Sequence, residues 1–215
     1  ESEELWFYLG IVAAASALLF VVLEADLGFG PVEPTLRHAV FQVTSIVTTT
    51  GYATVDFDLW SPAAKHLLFL GMFVGGMAGS TTCSIKSFRW LVVVKTLRRD
   101  LFTEIHPDAI RPIRVGGTVV DEGTIRDVNA YVVLSLLIFA FLTVFVVVET
   151  ADSGLGVTEF DAMGIAAATF LNIGPAFGVA GPYGSYAGLS PATKWVLVVL
   201  MWVGRIEIVP VLVVL

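Results

Sequence analysis

Two long apolar runs limit what this chain can fold into more than any other feature. Residues 5–23 hold one strongly polar member, Ser16, and Glu24 closes the run; residues 128–148 form the second, closed by Glu149. A transmembrane helix needs about 20 mostly apolar residues, and both runs meet that length. Residues 62–97 and 191–215 form two further long stretches. Two shorter, more polar stretches, 36–50 and 160–173, are expected as buried or re-entrant segments, because runs of about 10–14 residues do not cross a bilayer. The composition agrees: 56% of residues are hydrophobic and only 14% charged, against about 25% charged in an ordinary soluble domain. The reading is therefore an all-α, multi-pass membrane protein in contact with a lipid bilayer.

Several function classes fall away at this point. A formal net charge of −7 disfavours a polyanion, since phosphate backbones need a basic surface, so no nucleic acid is expected. Cys83 is the one cysteine, and His38, His66 and His106 lie far apart, so neither a disulfide nor a zinc cluster is expected. No nucleophile–base pair is visible, and the chain is not read as an enzyme; no cofactor is implied. The start, Glu1-Ser2-Glu3-Glu4, has no basic leader, so the first run is not read as a signal peptide. The chain opens at Glu1 and stops inside an apolar run at Leu215; it is expected to be a piece of a longer polypeptide.

Basic residues suggest the orientation. Lys95, Arg98, Arg99, Arg111, Arg114 and Arg126 gather in one connection, whereas residues 25–60 contain only Arg37 and residues 150–189 contain no Lys or Arg. The positive-inside rule places residues 95–126 in the cytoplasm and both short stretches on the outer side. The plasma (inner) membrane is the expected location. Residues 98–127, broken by Pro107, Pro112 and Gly116-Gly117, read as a linker that begins with a helical extension. Trp6, Trp60, Trp90 and Trp195 are expected near membrane edges.

The chain repeats itself. Ser61-Pro62-Ala63-Ala64-Lys65 recurs as Ser190-Pro191-Ala192-Thr193-Lys194, and Met72, Val74 and Gly75 recur as Met201, Val203 and Gly204. Upstream, Val21-Val22-Leu23-Glu24 matches Val146-Val147-Val148-Glu149. Each half thus holds an outward helix, a short helix, a glycine-bearing segment and an inward helix. Same-orientation repeats surround an axis along the membrane normal. The expected organisation is one unit over residues 1–97, a linker over 98–127 and a second unit over 128–215.

Thr48-Thr49-Thr50-Gly51-Tyr52 follows the first short helix, and Leu171-Asn172-Ile173-Gly174-Pro175 follows the second. Non-helical backbone at membrane depth must be buried in protein or line water. Glycine there lets carbonyls turn toward an axis, and rings of carbonyls replace the hydration shell of a monovalent cation. The negative C-terminal ends of the short helices would favour a cation at that place. External loops with turn glycines remain the alternative.

These segments resemble the Trk/Ktr/HKT potassium transporter superfamily, and in particular the third and fourth helix–pore-loop–helix repeats of TrkH/KtrB-like subunits. The resemblance implies a pore of four such repeats, the missing two coming from an N-terminal half or a second copy. It implies a potassium selectivity filter at Thr49, Thr50, Gly51 and Tyr52 and at Asn172, Ile173, Gly174 and Pro175. It also implies a homodimer and a cytoplasmic nucleotide-binding regulatory ring that contacts residues 95–126. Sodium permeation on the same fold, and a non-conducting scaffold or sensor subunit, are the competing readings.

Residues 62–97 are too long for one straight span, since thirty-odd helical residues reach about 50 Å. Residues 75–84, small and polar, supply the break. By resemblance this stretch is an intramembrane gate, with Gly75, Gly76, Gly79, Ser80, Thr81, Thr82 and Ser84 in it; Cys83 and Ser84 stand where glycines are expected. Lys86 and Arg89 follow, as gating residues or snorkelling anchors. Arg205 and Glu207 are charges inside the last apolar stretch, and a charge at that depth is costly and faces a cavity. The two lie on different helix faces, so a direct pair is not expected. By resemblance Arg205 approaches the pore below the filter, with Thr81, Thr82 and Ser84 as candidate partners.

Overall fold

A computed structural model describes residues 2–27, 32–107, 109 and 111–206. Seven α-helices make up most of these residues: α1 Glu3–Leu27, α2 Val32–Val47, α3 Pro62–Gly71, α4 Ser87–Ile105, α5 Glu122–Thr150, α6 Glu159–Phe170 and α7 Pro191–Ile206. Two pairs of two-residue strands, β1 Val74–Gly75 parallel to β2 Ile85–Lys86 and a hairpin of β3 Arg114–Val115 with β4 Thr118–Val119, and three single 3-10 turns, Phe57–Leu59, Gly178–Ala180 and Tyr186–Gly188, complete the described residues' regular structure.

The long helices form where the apolar runs lie. Residues Glu3–Asp26 and Glu122–Thr150 are long and apolar enough to cross a membrane. The second, at 29 residues, reaches about 44 Å at 1.5 Å each, more than a hydrocarbon core of about 30 Å. The surplus lies at its start: Asp121 caps the helix by accepting from Thr124 N at 3.0 Å, several residues before the apolar run begins.

Of the short helices, α6 is largely buried and α2 buries one face. In α6 every residue from Ala166 to Phe170 is buried, and a capping box starts the helix, with Thr158 Oγ1 accepting from Asp161 N and Asp161 accepting from Thr158 N. It packs between α5 and α7, while α2 packs on α1 and α3. The core runs continuously across both halves, through Phe57 and Phe177 edge to face at 5.8 Å. Phe141, Val148, Trp195 and Trp202 stay largely exposed. Such apolar surface is a liability in water and ordinary against lipid or a neighbouring membrane helix.

The expected break lies between α3 and α4, and its origin is hydrogen bonding. The last turn of α3 is closed by Met72 N on Leu68 O and Phe69 O and by Phe73 N on Leu70 O, so the carbonyls that need partners are those just past the helix. Ser84 Oγ donates to Met72 O at 2.7 Å and Trp90 Nε1 donates to Phe73 O at 2.9 Å. Ser87 N donates to Gly76 O at 3.0 Å. Trp90 is therefore a half-buried brace of the break. The β1–β2 pairing closes the neck of the loop, Val74 opposite Ile85 and Gly75 opposite Lys86. Helix α7 stays helical through Ile206, past the point where α3 ends in the matched sequence. Residues 207–215, Glu207 among them, lie outside the described residues.

The linker does begin as an extension of α4, to Ile105. It then forms the β3–β4 hairpin, anchored by Ile113, which packs with Val92, Ile125 and Val128 in a small separate core.

Candidate functional site: a braced ion path

The two segments after the short helices are built alike. At the end of α2, Thr49 N donates to Ile46 O at 3.0 Å and Thr50 N to Ser45 O at 2.9 Å. At the end of α6, Asn172 N donates to Thr169 O at 3.2 Å and Ile173 N to Ala168 O at 2.8 Å. This pair of bonds is a Schellman motif, which requires a left-handed residue after the helix. Thr49 and Asn172 fill that position, at φ 52° and 56°. Gly51 and Gly174 follow at φ 77° and 115°, where only glycine is unstrained.

Wrapping the amides back onto the helix ends leaves the carbonyls unspent. Among the described residues, no hydrogen bond ends on the carbonyls of Thr49, Thr50, Gly51, Asn172 or Ile173. The two segments touch: a Cβ built on Gly51 would stand 2.2 Å from Ile173 O and 3.0 Å from Pro175 Cδ. A cavity of about 550 Å³ opens beside them, lined by Thr49, Thr50, Asn172, Ile173 and Gly174 together with α7.

Braces hold both segments. Ser45 Oγ donates to Tyr52 O at 2.6 Å. Tyr186 OH donates to Gly174 O at 2.7 Å, and burial pushes that phenol above its ordinary range, so it stays a donor. Asn172 Nδ2 donates to Met201 O at 2.9 Å, tying the second segment to α7. A Cβ on Gly204 would lie 1.9 Å from Phe170 O, so α7 meets the end of α6 at backbone distance. The outer connections repeat too: Trp60 N donates to Phe57 O and Leu189 N to Tyr186 O, and Ser61 and Ser190 cap α3 and α7.

The loop between β1 and β2 lies against this site. Cys83 N donates to Thr49 Oγ1 at 3.4 Å. From α7, Arg205 Nη1 donates to Thr81 O at 2.9 Å and to Cys83 Sγ at 3.2 Å. From α1, Glu4 Oε1 accepts from Ala78 N at 2.7 Å and from Ser87 Oγ at 3.0 Å. The loop is thus held from three sides. Arg205 does face it, but Thr82 and Ser84 are not its partners. Thr82 Oγ1 accepts from Gly76 N at 3.0 Å inside the loop, and Ser84, at φ 66°, spends its hydroxyl on Met72 O. Gly79 sits at the loop's open end with nothing within 4 Å of a built Cβ. Lys86 is half-buried in the β2 neck, and Arg89 lies over the Tyr131 ring at 3.8 Å.

Sequence reasoning missed Glu4, Ser45, Tyr186 and the role of Cys83. An acid in the first turn of a helix reads as an ordinary dipole partner, which hid Glu4. Tyr186 carries a faint signal: it stands where the first half has Phe57, in the matching turn, and only its hydroxyl differs.

The family described as TrkH, cation transport protein, matches residues 5–215. The Trk system potassium uptake protein TrkH of Halomonas elongata is 36% identical over 207 residues, 96% of this chain and 40% of that protein. The TrkI protein of the same organism is 38% identical over 186 residues, 86% of this chain and 37% of that protein. A solved structure, the potassium transporter TrkH from Vibrio parahaemolyticus, superposes with a TM-score of 0.85 at 29% identity, covering 100% of this chain and 44% of the other. The chain therefore spans well under half the length of the relatives it matches.

Proposed function

This chain belongs to the TrkH family of cation transport proteins, and we propose that it supplies half of a gated, channel-like path for potassium uptake. It is an all-α, multi-pass membrane protein, and its family is one of transporters, not of enzymes. Residues 1–97 and 128–215 act as two helix–pore-loop–helix repeats joined by the 98–127 linker. Two more repeats, from an N-terminal half or a second copy, complete the ring around the pore.

In this reading Thr49 to Tyr52 and Asn172 to Pro175 form two of four filter segments. Free carbonyls replace the water of a monovalent ion at little desolvation cost. The carrying observation is the matched pair of Schellman turns, which commits the amides to the helix ends and leaves the carbonyls of Thr50, Gly51 and Ile173 unpaired. Potassium as the ion rests on the names of the relatives, which are potassium uptake proteins, and on glycine in both segments. Residues 75–84 act as the gate, and Arg205 adds a positive charge beside the path. The complete assembly is a homodimer that binds a cytoplasmic nucleotide-sensing ring at the linker.

The test is cation uptake into liposomes by the complete transporter carrying this half. Potassium uptake exceeding sodium uptake supports the reading. Equal flux of both ions removes the selectivity claim, and no flux from folded protein leaves a scaffold or sensor subunit.

A further inference from the structure

Five of the chain's twelve lysines and arginines line one pocket. Its volume is about 240 Å³, and its walls are Lys95, Arg98 and Arg99 of α4, Arg111 just before the hairpin and Arg114 in its first strand, with Ile113 between. Lining carboxylates are absent among the described residues. In a chain of net charge −7, this is a concentration of the minority sign.

The fold builds the cluster. Lys95, Arg98 and Arg99 share one face of α4, where like charges at these spacings repel. Ile113, only 4% exposed, fixes the hairpin against Val92 of α4 and brings Arg111 and Arg114 over that face. Two of the five have carboxylate partners outside the pocket: Lys95 pairs with Glu3, and Arg99 with Asp100 and Glu122. Arg111 rests over the Phe102 ring at 4.9 Å. No ion pair is formed by Arg98, Arg111 or Arg114 among the described residues.

Guanidinium forks match phosphate oxygens in pairs, more closely than a lysine point charge does. The volume lies below the roughly 300–1,000 Å³ of pockets that enclose whole small molecules, so it suits a phosphate group and not a complete nucleotide. The level in the membrane narrows the source. Glu3 pairs with Lys95 and accepts from Gly116 N at 3.0 Å, and Glu3 begins α1, immediately before the apolar run. The pocket therefore lies at the depth where one membrane-crossing helix enters the bilayer. Basic pockets at that depth take anionic headgroups.

We propose that this pocket binds a phosphate group, presented at the membrane surface by the headgroup of an anionic phospholipid. The site stands independently of which ion the pore passes. It also ties the membrane surface to the loop, because neighbouring Glu3 and Glu4 reach the pocket wall and Ala78 respectively.

The experiment uses the complete transporter, purified and delipidated in detergent. Dioleoyl-phosphatidylglycerol, dioleoyl-phosphatidylcholine and inorganic phosphate are titrated separately, with bound lipid read by native mass spectrometry and Tm read in parallel. The test variant combines R98Q, R111Q and R114Q, which leaves both ion-paired side chains intact; R37Q on the other side is the control. The expected result is phosphatidylglycerol binding at least about tenfold tighter than phosphatidylcholine, with that advantage and the Tm rise lost in the triple variant and kept in R37Q. Competition by millimolar inorganic phosphate, absent from the triple variant, supports the pocket and assigns the source to free phosphate. If the triple variant does not fold, R98Q and R111Q singly should each weaken phosphatidylglycerol binding about threefold. Undiminished binding in the folded variants, or equal binding of the neutral lipid, overturns the proposal.

Discussion

Thr49, Ser84 and Asn172 are the only non-glycine residues at positive φ among the described residues, and all three stand in the proposed filter or gate. Asparagine tolerates that conformation; a β-branched threonine does not, at roughly 1–2 kcal/mol. Thr49 is held there by its Schellman bonds and by Cys83 N on its hydroxyl, so strain is stored where the two parts meet. Arg205 is the second costly residue. If the proposed position inside the bilayer holds, its charge costs at least roughly 2.5–3.5 kcal/mol, and the Thr81 carbonyl and the Cys83 sulfur are there to offset it. In the proposed reading Arg205→Ala removes a charge beside the cation path, and it removes one of the loop's ties. Potassium flux into liposomes should rise with the potassium-to-sodium ratio unchanged, and Arg205→Lys should keep most of the barrier. Flux at or below the parent's, from Arg205→Ala protein with a normal size-exclusion profile, would make Arg205 purely structural. Gly204 makes a stability prediction. A methyl group there meets backbone, Phe170 O, which cannot swing aside. Gly204→Ala should cost about 1–3 kcal/mol, as overpacking does; an unchanged Tm contradicts the close approach of α7 to α6.

At the scale of elements, the broken helix was legible, and of its bracing only Arg205 on Thr81 was expected, by resemblance. A run too long for one span, interrupted by Gly75, Gly76 and Gly79, announces a break in any reading of residues 62–97. Hydrophobic length likewise announces α1 and α5, and their lesser length announces α2 and α6. What closes the break depends on residues distant in sequence: Glu4 from α1, Arg205 from α7, Thr49 from the end of α2. No local pattern encodes such meetings. The filter turns were half legible, since Gly51 and Gly174 mark the places, but the left-handed Thr49 breaks the propensity rule that would have found it. The tie from Glu4 yields its own prediction. Glu4→Ala releases Ala78 N and Ser87 Oγ, so the loop should exchange amide hydrogen faster over residues 76–82 and potassium flux should rise. Unchanged exchange there would mean that the other two ties suffice and that α1 takes no part in holding the gate.

Among the described residues one continuous core is shared by two matched halves, beside the small core under the hairpin, with apolar surface left open on α5 and α7. The repeat was visible in Ser61-Pro62 and Ser190-Pro191, and the backbone bonds extend it into the filter turns. The halves are nevertheless unequal at their glycines. At Gly51 any side chain collides with Ile173 O, whereas at Gly174 the space is open and only the backbone angle resists. Gly51→Ser should therefore disturb folding as well as selectivity, which makes it the poorer probe. Gly174→Ser can be accommodated in volume, and its cost falls on the conformation that directs the carbonyls. The most direct test of a carbonyl filter built from these turns is the potassium-to-sodium permeability ratio of the complete transporter carrying Gly174→Ser, measured in liposomes beside the parent. The account predicts folded protein whose ratio falls about tenfold, a differential of about 1.4 kcal/mol between the ions. An unchanged ratio would contradict it.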